Sequence, residues 1–204
     1  MKSIKYKNEE LVVSKVICVG RNYVEHIAEL GNETPESIVL FNKPNSAISD
    51  TLYYFSEDTR FEAEICFLIK NKKIEAVGFG LDLTKANIQG YLKAKGLPWE
   101  RAKAFDNSAV LSDFIPFEGD ITKLRLELFI NKKLIQFASY DLMIHKPKEI
   151  AKEIETFMTL EENDIIMSGT PKGVGNYNVG DSFVGKIFCE NTLIVEKEWQ
   201  AKAF

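Results

Sequence analysis

Glu62 and Glu64 stand two residues apart in the run Arg-Phe-Glu-Ala-Glu-Ile-Cys-Phe-Leu-Ile. In a strand that spacing sends both carboxylates to one face, about 7 Å apart along the chain. A wet strand face with two solvated glutamates has the same pattern. Against it, the face continues into Cys66 and Leu68, which read as buried, while Ile65, Phe67 and Ile69 cover the other side. Carboxylates aimed into apolar surroundings want a cation. Asp82 ends the next strand, just before a helix, where it is either a charge at the helix N-terminus or, if the two strands pair, a third oxygen ligand for one ion. Three carboxylates and water suit magnesium or manganese, which prefer hard oxygen ligands and leave positions open for substrate. With only His26 and His145 in the chain, a histidine-rich zinc or copper centre is nearly excluded.

Three carboxylates around a dication leave a charge of about −1, so an acidic substrate needs further cations nearby. Lys103 and Arg21 are candidates, although either alone reads equally as a surface charge. The segment 168–175, Ser-Gly-Thr-Pro-Lys-Gly-Val-Gly, is a tight loop with a hydroxyl and free backbone N–H groups; it can hold a carboxylate or simply connect strands, and it does not match a P-loop. His26 lies three residues before Glu29, so a helix stacks them as neighbours. A carboxylate beside an imidazole orients the ring and raises its basicity, as a general base requires. An exposed helix ion pair is the alternative. His145 has no evident partner and is read as structural.

The elements that must position these groups are mostly strands. Val-, Ile- and Phe-rich runs at 15–20, 37–44, 62–69, 75–83, 124–130, 164–169, 182–190 and 192–199 are broken by Asn, Asp, Gly and Lys clusters. In 124–130, Leu124, Leu126 and Leu128 alternate with Arg125 and Glu127, the period of a strand with one wet face, which favours antiparallel sheet. Helices are expected over about 23–30, ending at Gly31, and about 84–95, ending at Gly96 with Pro98 beyond. A third begins at Pro147 and places Ile150, Ile154, Phe157 and Met158 on one face. Helices do not alternate regularly with strands, so a doubly wound parallel fold is disfavoured. The class expected is α+β, dominated by β.

Composition narrows the function. The 204 residues, 45% of them hydrophobic, suffice for one full core, and no linker or repeat divides them, so residues 1–204 read as a single domain. The net charge of −4 is spread without a Lys/Arg run, which argues against nucleic-acid or membrane binding. No signal-peptide core and no stretch of about 18 apolar residues occurs, so the expected location is cytoplasmic. Cys18, Cys66 and Cys189, widely spaced in apolar runs, are expected to be buried reduced thiols.

Taken in order, the segments 17–31, 40–44, Glu62-Ala-Glu64, 80–84 with Gln89, 96–106, 158–175 and the closing 180–187 resemble the fumarylacetoacetate hydrolase family, specifically its short members that act as acylpyruvate hydrolases, oxaloacetate decarboxylases or tautomerases, and related isomerases. The resemblance implies a mixed β-sandwich roll, usually dimeric. It implies that Glu62, Glu64 and Asp82 ligate Mg2+ or Mn2+. It further implies that Arg21, Gln89, Lys103 and Thr170 surround the substrate's carboxylate and oxo group, and that His26 and Glu29, on a short lid-like helix, act with Lys103 in catalysis. Two positions depart from the family pattern: Arg60, where a His is common, and Tyr140, where a Thr is common.

The leading expectation is C–C cleavage of a small 2-oxo acid through a metal-bound enolate, by hydrolysis of an acylpyruvate or decarboxylation of oxaloacetate. Isomerisation or tautomerisation needs the same chelate and one base, so the sequence leaves it open. A non-catalytic metabolite-binding protein is the alternative of another class.

Overall fold

The computed structural model describes residues 1–204. Strands hold 46% of them and helices 18%, so sheets set the architecture. The larger sheet runs Val39–Pro44, Lys15–Gly20, Ile165–Met167, Ala63–Lys70, Lys73–Asp82, Ala109–Leu111, Ile48–Ser49, with Ile115–Pro116 paired onto Lys73–Asp82. It is mixed: Ile165–Met167 runs parallel to Lys15–Gly20, and Ala109–Leu111 parallel to Ile48–Ser49, among otherwise antiparallel pairs. A four-stranded antiparallel sheet, Lys133–Ser139, Leu124–Ile130, Ser182–Cys189, Thr192–Gln200, packs on one side of it.

Local turn chemistry explains the hairpins. Lys7-Asn8, Asn71-Lys72 and Asn131-Lys132 each take positive φ at both residues, the conformation that matches the twist of two-residue hairpins. They close Ser3–Tyr6 on Glu9–Val12, Ala63–Lys70 on Lys73–Asp82, and Leu124–Ile130 on Lys133–Ser139. The third hairpin supplies a strand that the apolar runs alone did not reveal.

The larger sheet buries both faces. Ile65, Phe67, Val77, Phe79 and Leu81 meet Leu124, Leu126, Leu128, Phe183, Ile187 and Trp199 of the smaller sheet in a cluster of 29 buried residues. On its other face the sheet curls around Cys18, Cys66, Leu68, Leu111, Ile165 and Met167, a second cluster of 15. The curl needs small residues on its inside: a Cβ on Gly80 would lie 2.5 Å from Cys66 Sγ and 2.9 Å from Met167 Cε. Glu64 and Asp82 occupy this inner face, at the end of the roll.

Four α-helices border it: α1 (Val24–Glu29), α2 (Ala86–Ala94), α3 (Glu100–Lys103) and α4 (Pro147–Glu155). Three expectations need correction. Residues Thr84–Lys85 are not helical but pair as a short strand with Thr59–Phe61, because the Thr84 hydroxyl is engaged with Glu62 and Lys103, and α2 starts at Ala86. Phe157 lies beyond the end of α4 and is exposed, so only Ile150 and Ile154 carry that helix's apolar face, with Met158 half-buried. Cys189 is only half-buried, near the end of a strand of the smaller sheet, whereas Cys18 and Cys66 are fully buried; all three are free thiols. No helix is long and apolar enough to cross a membrane.

Candidate active site

The pairing of Ala63–Lys70 with Lys73–Asp82 is what gathers the acids. Ala63 lies opposite Leu81 and Glu64 opposite Gly80, and the Asp82 N–H donates to the Glu62 carbonyl at 2.8 Å. One carboxylate oxygen from each of Glu62, Glu64 and Asp82 then falls within 4.8 Å of the others. Glu64 and Asp82 are buried, and the Glu62 side chain is 13% exposed toward the cavity.

Two buried ammonium groups answer them. Lys103, at the end of α3, donates to Glu62 Oε2 (2.8 Å), Asp82 Oδ2 (2.7 Å) and the Thr84 hydroxyl (2.5 Å). All three of its protons are therefore taken. Lys43 lies 2.8 Å from Asp82 Oδ1 and donates to the Leu83 carbonyl (3.2 Å), the Ser108 hydroxyl (2.9 Å) and the Lys103 carbonyl. Burial works to raise the pKa of Asp82, but Lys103 and Lys43 outweigh it and hold the carboxyl below its ordinary range. Lys103 moves the other way: burial disfavours its charge, yet Asp82 and Glu62 hold its pKa well above that of a free lysine.

Glu64 has no such partner. One of its oxygens accepts the Gly169 N–H at 2.6 Å, and the other, Oε1, is buried without a hydrogen bond. Burial, followed by the charges of Asp82 and Glu62, pushes its pKa well above the usual carboxylate range. Asp82 Oδ1 also accepts no hydrogen bond despite the nearby ammonium. Three hard oxygen donors with two orphaned buried atoms and one negative charge beyond what the lysines neutralise fit a divalent cation such as magnesium or manganese.

Above the acids lies a cavity of about 30 Å³, lined by Arg21, His26, Glu62, Gln89, Lys103 and Thr170, with Phe41 and Trp99 as an apolar wall. Every sequence-derived binding or catalytic side chain except Glu29 thus borders one space, and Glu29 holds His26 from behind. Glu29 Oε2 lies 3.3 Å from His26 Nδ1, and the same carboxylate accepts the Gly173 N–H at 3.0 and 3.2 Å. His26 is only 6% exposed, whereas Glu29 is exposed, so the pair links the cavity to the surface. Gly173 has φ +97°, and a Cβ there would stand 2.4 Å from the Ile135 carbonyl oxygen. Only glycine fits the turn that presents this N–H to Glu29.

The structure adds three residues that the sequence reading passed over. Lys43 falls inside the segment 40–44, where a lysine in an apolar strand two residues after Phe41 is the available signal. Gln136, 1% exposed, accepts the Ala63 N–H (3.0 Å) and donates to the Thr170 hydroxyl and the Pro171 carbonyl (both 2.9 Å), tying the 168–175 loop to the metal-ligand strand. Asn22 donates to the carbonyls of His145 (2.9 Å) and Ser168 (2.8 Å) and accepts the His145 N–H (2.7 Å). His145 therefore serves through its backbone, in keeping with a structural role.

The family model for the C-terminal domain of fumarylacetoacetate (FAA) hydrolase matches residues 15–197. The chain belongs to the fumarylacetoacetate hydrolase family. Oxaloacetate tautomerase YcgM of Escherichia coli is 40% identical over 83% of this chain and 86% of its own length. The mitochondrial oxaloacetate tautomerase oaa1 of Schizosaccharomyces pombe is 33% identical over 93% and 96%. Among solved structures of the family, the fumarylpyruvate hydrolase of Pseudomonas aeruginosa in complex with Mn2+ and pyruvate superposes with a TM-score of 0.88 at 26% identity, covering 99% of this chain and 95% of that one. This family's enzymes include hydrolases, tautomerases and isomerases, and the strand-dominated roll seen here is their fold.

Proposed function

We propose that this chain is a divalent-metal-dependent enzyme that forms and interconverts the enol of a small 2-oxo acid, with oxaloacetate tautomerisation as its first reading. The observation that carries it is the Glu29-supported imidazole of His26 facing the same cavity as the three carboxylates. The names of the curated relatives support oxaloacetate as substrate.

Glu62, Glu64 and Asp82 would hold Mg2+ or Mn2+. When bound, the cation supplies Lewis-acid polarisation of the 2-oxo group. Arg21, Gln89 and Thr170 hydrogen-bond the substrate's carboxylate and oxo oxygens. Lys103 would turn one of its three N–H groups from its present acceptors toward the oxygen on which charge develops. His26, through Nε2, would remove a proton from the carbon beside the oxo group and deliver it to the enol oxygen, and would run the same transfer backwards for ketonisation. Glu29 fixes the ring tautomer through Nδ1 and stabilises the imidazolium.

A second reading, C–C cleavage of an acylpyruvate by hydrolysis or of oxaloacetate by decarboxylation, uses the same residues with His26 activating water for the hydrolysis. The dyad favours it, as does the similarity to a fumarylpyruvate hydrolase. A purely metabolite-binding protein has no use for such a base. On this reading residues 1–204 form one catalytic domain, acting as a homodimer in the cytoplasm.

The test is a product assay with magnesium and with chelator on oxaloacetate and acetylpyruvate. Metal-dependent enol–keto exchange that drops about 10²–10⁴-fold in His26→Ala supports the first reading; metal-dependent pyruvate release supports the second. Intact substrates with no exchange would refute both. Glu29→Gln should slow turnover about tenfold or more while leaving metal affinity unchanged, and equal loss of both counts against the dyad.

A further inference from the structure

Lys93 borders the same cavity but has no part in the chemistry above. It stands four residues after Gln89 on α2, so both side chains leave the same helix face toward the pocket. Its ammonium donates to one group, the neutral amide oxygen of Asn32, at 2.5 Å. Arg21, across the cavity, makes no ion pair either, and neither cation has a carboxylate within pairing distance. Elsewhere the half-buried Lys15 pairs with Asp164, and the buried Lys43 and Lys103 pair with Asp82. Burial, and then the charge of Arg21, lower the Lys93 pKa, so the two cations repel each other where they stand. Glu62, the acid that also faces this space, is occupied by Lys103 and Thr84. Two like charges against the Phe41 and Trp99 wall, neither ion-paired and with the one lining acid, Glu62, already held by Lys103 and Thr84, form a site for an anionic group.

We infer that Lys93, beside Arg21, binds the second carboxylate of the substrate and so selects dicarboxylic 2-oxo acids over those with a neutral tail. This rests on the proposed function for the placement of the first carboxylate at the metal end. Once the dicarboxylate enters, the Lys93 ammonium exchanges the Asn32 amide for a charged acceptor, and the two anionic ends of one ligand offset the repulsion between Lys93 and Arg21. An acylpyruvate offers no charge there and leaves the Lys93 ammonium uncompensated.

The test uses the full-length, magnesium-loaded protein and two unreactive chelators of matched shape, racemic malate and racemic 2-hydroxybutyrate, which differ only in a terminal carboxylate against a methyl. Calorimetry should show malate bound at least about tenfold more tightly by the wild type. Lys93→Met should weaken malate about tenfold to a hundredfold, the worth of one hydrogen bond between charged groups, while 2-hydroxybutyrate shifts less than about threefold. Lys93→Arg should keep the preference. Equal weakening of both ligands, or unchanged malate affinity, overturns the inference. If the preference holds but oxaloacetate is not turned over, the enzymatic reading fails and this one stands; turnover without the preference sinks this one alone.

Discussion

Glu64 and Asp82 are both buried carboxylates of one cluster, yet their protons behave in opposite ways. A carboxyl whose pKa is lowered in the folded chain adds stability above its unfolded pKa and loses it as pH falls through the folded value; Asp82, held down by Lys103 and Lys43, is of this kind. A carboxyl whose pKa is raised binds more protons folded than unfolded, so between the two values stability falls as pH rises. Glu64 is of that kind. A cation entering the cluster competes with the proton that burial and the neighbouring acids favour on Glu64. Metal affinity should therefore rise with pH across the range in which the fold persists, with release of protons, visible by calorimetry in buffers of different ionisation heat, and Glu64→Gln should abolish both binding and release. Affinity flat across that range would contradict the assignment. At this scale the sequence was informative for acids, because period-two spacing puts Glu62 and Glu64 on one face whatever the fold. It was silent on Lys43, since burial of a lysine depends on which distant acid it meets, here Asp82.

The element that carries the His26–Glu29 pair is α1. It is six residues long, too short to be stable alone, and its side chains grip the 168–175 loop: Glu29 takes the Gly173 N–H, and Glu25 pairs with Lys172 at 3.2 Å. Asn22 fastens the turn just before it to both the loop and residue 145. Asn22→Ala leaves buried backbone groups without partners and should lower stability by about 2–3 kcal/mol in urea unfolding, with activity falling further than the unfolded fraction explains. Gly173→Ala should impair turnover through Glu29 and leave metal binding intact, read by the same calorimetry. The helix itself was legible from Gly31 and its apolar positions. Its seating was not, because that depends on long-range hydrogen bonds from Gln136, Asn22 and Gly173, each of which is an unremarkable residue in sequence.

At the scale of the molecule, the two sheets and the curl of the larger one place the acids at the end of the roll. The apolar runs revealed most of the strands of both sheets, because each is buried on at least one face. The strand Lys133–Ser139 was missed: Leu134 and Phe137 are exposed, so its pattern is blurred, and only the Asn131-Lys132 turn signals it. Parallel pairings of Lys15–Gly20 with Ile165–Met167 join residues about 150 apart, which local pattern cannot foresee. The curl rests on close contact at Gly80, two residues from Asp82. Gly80→Ala should overpack the interior, cost about 1–3 kcal/mol by thermal unfolding and weaken metal binding in proportion to the shift it forces on Asp82. Unchanged melting would show that the roll has slack there.

Lys43 and Lys103 supply two fixed positive charges inside the cluster, so most of its electrostatic load is carried by the chain itself. The protein thereby separates its own survival from its loading state. Stripping the ion should empty the centre without collapsing the scaffold, and refilling should restore it. The catalyst would then follow the supply of free divalent ions as a dimmer follows current, with changes in output that require no protein turnover.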